Sequence, residues 1–102
     1  MQSFYEMAIE TIAKHYGLEH QQLKAIEELG EASAAIARYI VDPGDGGLKD
    51  MASELADVQI MIDQLLVLNP MLEYHFERQK KYKTGRQIQR MVEDAGLEID
   101  RT

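Results

Sequence analysis

Apolar residues recur along this chain at spacings of three and four, the period of a helix that buries one side. Over residues 3–16, Tyr5, Ala8, Ile9, Ile12 and Tyr16 mark one such face, and Gly17 supplies a C-terminal stop. The pattern resumes over 19–41, where Leu23, Ile26, Leu29, Ser33, Ile36, Ala37 and Ile40 share one broad side. Gly30 interrupts good helix formers at a cost of about 1 kcal/mol relative to Ala, which suggests a close approach there. Residues 42–47, Asp-Pro-Gly-Asp-Gly-Gly, predict a turn or loop inside one domain. A third helix follows over 48–68, with Met51, Leu55, Val58, Ile62 and Leu65 as its main stripe. Ile60, Met61, Leu66 and Val67 add apolar surface on its other sides, as expected of a central or interfacial helix. Asn69-Pro70 ends it, and Pro70 suits the first position of a fourth helix over 71–83. Thr84-Gly85 predicts a break, 86–95 a short last helix and 96–102 a loose tail.

The pattern therefore predicts an all-α, four-helix-type bundle. At 102 residues it is one small domain with a modest core, so a homodimer or homotetramer is expected. The net charge of −7 argues against nucleic-acid binding, which uses a basic face. There is no cysteine, which excludes thiolate chemistry and agrees with a cytoplasmic location. Residues 1–14 lack a basic stretch followed by an apolar one, so no signal peptide is expected. Apolar runs such as Leu65 to Leu68 are far too short to span a membrane, so no membrane partner is expected.

Two acidic pairs lie inside the two most apolar helices. Glu28 and Glu31 occur in E-E-L-G-E, Glu54 and Asp57 in E-L-A-D. These are the two places where a Glu is followed three residues later by another acid, a spacing that sets both on one helix face. Antiparallel packing about the 42–47 turn would bring the pairs face to face. Converging carboxylates form an oxygen cage suited to Mg²⁺ or Mn²⁺, not to iron or zinc. A di-iron bundle would require Glu-x-x-His, which is absent. A basic segment is the second constellation: Arg78, Lys80, Lys81, Lys83, Arg86 and Arg90 include no acid among them. His15 and His20 have no partner spacing. Glu19-His20-Gln21-Gln22 opens the second helix, where it would either line a pocket or simply supply polar helix-start residues.

The two-part acidic motif resembles the signature of the MazG-like all-α nucleoside triphosphate pyrophosphohydrolases. Their relatives include dimeric dUTPases, dCTP pyrophosphatases and phosphoribosyl-ATP pyrophosphohydrolases. The resemblance spans roughly residues 15 to 83. It implies that NTP and water give NMP and pyrophosphate, with possible house-cleaning of non-standard (d)NTPs. It implies Mg²⁺ held by Glu28, Glu31, Glu54 and Asp57. Glu27 and Glu28 would be the catalytic acids, with Glu27 helping to orient the attacking water. In Tyr74-His75-Phe76-Glu77-Arg78-Gln79 the resemblance assigns phosphate contacts to Arg78 and Lys81, with His75 where a Lys is expected. Two alternatives stay open: a pyrophosphohydrolase with a dedicated substrate such as phosphoribosyl-ATP, and a non-catalytic oligomeric helical module that binds nucleotide or a protein.

Overall fold

The computed structural model describes residues 1–96, and residues 97–102 of the expected tail lie outside them. The described chain is all-α, with four helices and no strand among the described residues: α1 (Phe4–Tyr16), α2 (Leu18–Val41), α3 (Asp45–Leu68) and α4 (Pro70–Asp94). It divides into two compact units, Met1–Pro70 and Met71–Thr102.

Local chemistry sets the helix ends. Ser3 caps α1 by accepting the Glu6 N–H at 3.1 Å. Gly17 ends it at φ 85°, a left-handed conformation that glycine adopts without strain, and α2 begins at once. Helix α3 starts earlier than the Gly-rich sequence predicts, at Asp45, and takes in Gly46 and Gly47. An acid in the first turn favours this start. A Cβ at Gly47 would stand 3.4 Å from both the Asp42 carbonyl oxygen and the Tyr39 ring, so the α2–α3 connection packs closely around it.

In the first unit α2 packs along α3, and α1 packs against both. A hydrogen bond at 2.6 Å from Gln21 Nε2 to Gln64 Oε1 defines the antiparallel register of α2 on α3. Seven residues later on α2 and seven earlier on α3, the same seam brings Glu28 to Asp57. Further along, Arg38 Nη2 donates to Asp50 Oδ2 at 2.7 Å. At the other edge, the Tyr5 hydroxyl donates to Asp63, and this bond pushes the phenol pKa up to about 12.

The stripe predicted as the inner face of α2 points outward. Leu23, Ile26, Leu29, Ile36 and Ile40 are exposed, and the buried positions are Gln21, Ala25, Glu28, Ala32 and Ala35. The two faces lie roughly 100° apart around the helix. Small residues let α2 approach α3 closely, which leaves the larger apolar side chains at the surface. Buried apolar residues are correspondingly few: Ile9, Ala13, Ala25, Ala32, Ala35 and Met61. Gly30 also has no close neighbour, since a Cβ there would meet nothing within 4 Å.

Helix α4 belongs to the second unit and runs unbroken through Thr84-Gly85, where the sequence predicts a stop. One glycine among good helix formers costs about 1 kcal/mol, too little to break a long helix. The Thr84 hydroxyl also bonds back to the Lys80 carbonyl at 2.7 Å.

Gln21 and Gln64 are only 3% and 2% exposed, so neither can exchange its partner for water. Replacing Gln64 with Leu should destabilise the chain by about 1–3 kcal/mol, because the Gln21 amide is left unsatisfied. The double replacement Q21L/Q64L should recover most of that loss, since it removes both polar groups. Urea denaturation of the set checks this; equal stability of Q64L and wild type would remove the pair's structural role.

Candidate metal centre

Glu28 is carried inward by the same α2 face that buries Ala25 and Ala32, and only 7% of it is exposed. Across the seam, α3 contributes Glu54 and Asp57, one turn apart. One oxygen from each of Glu28, Glu54 and Asp57 lies within 4.8 Å of the other two. Two carboxylate oxygens, Glu28 Oε2 and Glu54 Oε2, are buried without a hydrogen-bond partner. An ionised oxygen in that position is costly unless a cation completes it.

Glu31 lies outside this group of three but reaches Glu54. The Glu54 carboxyl is held above the usual glutamate range, first by burial, then by the charges of Glu31 and Asp57, with a side-chain hydrogen bond to Glu31 and the charge of Asp50 adding to it. Three of the four acids paired by sequence spacing thus share one cluster, and the fourth borders it. Glu27 is exposed on the next position of α2 and pairs with Lys24. Lys24 Nζ stands 3.2 Å from Glu28 Oε1 and 3.6 Å from Glu27 Oε2. Its pKa is raised, first by the hydrogen bond to Glu28 and then by the charge of Glu27. Lys24 is absent from the sequence-based site. Its position three and four residues before the two glutamates is a signal that the sequence does contain.

His75, Arg78 and Lys81 are exposed residues of α4, in the second unit. The Arg78 guanidinium lies 5.4 Å from the Tyr74 ring centroid, and Tyr74 and His75 meet edge to face at 5.3 Å. Arg78 and Lys81 also border a surface cleft of about 500 Å³ together with Gln79 and Tyr82. A larger cleft of about 600 Å³ lies at the α2–α3 connection, beside Arg38, Gly46, Gly47 and Asp50. No helix among the described residues is long and apolar enough to cross a membrane.

Comparison with protein-family models, curated proteins and solved structures finds no match for this chain. The donor set is all oxygen, anionic and partly orphaned, which fits a hard divalent cation.

The raised Glu54 pKa has a direct consequence. The folded chain holds this proton above pH 4.5, the ordinary glutamate value, whereas the unfolded chain releases it there. Without metal, this group's contribution should therefore fall as pH rises from 4.5 through the raised value. A bound cation competes with the proton and reverses that loss. Mg²⁺ should raise the melting temperature at neutral pH and have little effect at pH 4.5, as read by thermal scans with and without EDTA. A Mg²⁺ shift of equal size at both pH values would count against metal binding at Glu54.

Proposed function

We propose that this chain is a Mg²⁺-dependent nucleotide pyrophosphohydrolase of the MazG-like kind, converting a nucleoside triphosphate and water to the monophosphate and pyrophosphate. The reading is supported by the acidic motif and above all by one observation: two buried, unpartnered carboxylate oxygens on facing helices, Glu28 Oε2 and Glu54 Oε2. Glu28, Glu31, Glu54 and Asp57 would hold the cation. When bound, Mg²⁺ supplies Lewis acidity, neutralising charge on the phosphates and making water more acidic.

The chain's own groups do the rest. Glu27, exposed beside Glu28, can accept a proton from the attacking water. Lys24 offers a cation to the phosphates from the same helix face. The resemblance also assigns phosphate contacts to Arg78, Lys81 and His75, which are exposed on α4. The exposed stripe on α2 supports a homo-oligomer, with a second copy covering the apolar side chains that the protomer leaves in water.

The test is product analysis on a panel of (d)NTPs with Mg²⁺, using wild type and Glu28→Gln side by side. NMP and pyrophosphate, lost in the variant, are expected. NDP and phosphate would place the cut at the wrong bond and defeat the reading. The stripe also suits a non-catalytic oligomeric module, which predicts unchanged partner binding in Glu28→Gln and no turnover in either protein.

A further inference from the structure

The two oxygens of the Glu28 carboxylate have different surroundings. Oε1 stands 3.2 Å from the Lys24 ammonium, one turn earlier on α2. Oε2 is buried without a hydrogen-bond partner, like Oε2 of Glu54 on α3. The Lys24 side chain is 43% exposed and that of Glu28 9%, so the ammonium meets the carboxylate from the solvent side. Lys24 also reaches Glu27 Oε2, at 3.6 Å. Among the described residues, it is the one cation that forms an ion pair with the clustered acids Glu28, Glu54 and Asp57.

This division bears on which ion the centre takes. Mg²⁺ is small, keeps near-octahedral geometry and several waters, and asks one oxygen of a carboxylate. Ca²⁺ is larger, gathers more oxygens and often draws two from a single carboxylate. While the ammonium holds Oε1, Glu28 has one oxygen to offer. A lysine–glutamate pair at this spacing on an open helix face adds little to stability. Its effect falls instead on how Glu28 can bind.

We propose that Lys24 holds Glu28 to single-oxygen coordination and so makes the carboxylate centre favour Mg²⁺ over Ca²⁺. The inference rests on the metal-centre reading and extends it from binding to the choice of ion. Lys24 is a positioning residue in this role, since it acts through Glu28. Its ammonium has three N–H groups, so holding both glutamates leaves one for a phosphate. Replacing Lys24 frees Oε1 and lets Glu28 close on Ca²⁺ with both oxygens.

The test is displacement of Mn²⁺ from the full chain by Mg²⁺ or by Ca²⁺, without nucleotide. Electron paramagnetic resonance reads the free Mn²⁺. Lys24→Met should improve Ca²⁺ relative to Mg²⁺ by about tenfold, a small part of the range over which ligand sets tune calcium sites. Lys24→Arg keeps a cation on Oε1 and should keep the wild-type ratio. Lys14→Met removes the same charge from α1, where Lys14 pairs with Glu10, and should also keep it. An unchanged ratio in Lys24→Met, even with both ions bound more tightly, would leave only a charge effect. That result would overturn the inference while the metal centre stands. A Lys24→Arg ratio matching that of Lys24→Met would overturn it too. No Mn²⁺ binding by the wild type would defeat the centre and the inference together. The expected change in ratio without NTP turnover would uphold the role of Lys24 and defeat only the hydrolase.

Discussion

Glu28→Gln should lower NTP turnover by at least roughly 100-fold, because a cation at this site is worth several kcal/mol to the transition state. The protein should remain folded. Glutamine has nearly the same shape, and Glu28 Oε2 has no hydrogen bond to lose. The contact given up is the one with Lys24, whose side chain is 43% exposed, so little stability goes with it. Removing one charge from the cluster also relieves its repulsion with Glu54 and Asp57. The metal-free variant should therefore melt no lower than wild type, while its response to Mg²⁺ shrinks. Glu10→Gln, on the exposed face of α1, should leave turnover unchanged. Quenched product analysis and thermal scans on the three proteins separate lost chemistry from lost structure. A Glu28→Gln enzyme retaining a third or more of wild-type turnover would sink the proposed centre.

Charging the α2 stripe should convert the proposed homo-oligomer to single chains. Ile26 and Ile40 are 67% and 74% exposed in the protomer, with Leu23, Leu29 and Ile36 on the same side. Covering ten such side chains across two copies would contribute on the order of 10–15 kcal/mol, against an association cost of about 4–15 kcal/mol. The balance is narrow enough for two substitutions to reverse it. I26K/I40K places lysines where apolar contact is needed, and dimerisation should weaken by about 100-fold or more, with the helical content kept. Sedimentation equilibrium would show the variant at the single-chain mass of 11.7 kDa and wild type at a multiple of it. Wild type sedimenting at 11.7 kDa at assay concentrations would refute the oligomer.

The clearest signals in the sequence were those carried by neighbours in the chain. The Gly17 stop and the Pro70 start act within a turn, and the structure places both as the pattern predicts; of the four spaced acids, Glu28, Glu54 and Asp57 come together and Glu31 stays outside the group. Gly85 misled because propensity sums over a helix, and one poor residue is outvoted. The α2 stripe misled for a different reason. Periodicity finds the apolar face but does not say what covers it, and here alanines meet α3 while Leu and Ile face away. The Gln21–Gln64 bond joins residues 43 apart, and no local pattern reports such a partner. The same holds for Tyr5 and Asp63, 58 apart.

One glycine joins α1 to α2, and three residues separate α2 from α3. Such short joins keep most tertiary contacts local in sequence, the topology that folds fastest. The carboxylate cluster draws on α2 and α3 alone, so it can close without α4. On a ribosome, these acids would come together before the cations of α4 have emerged. The nascent chain would thus have a site for metal before it has its proposed grip on phosphate.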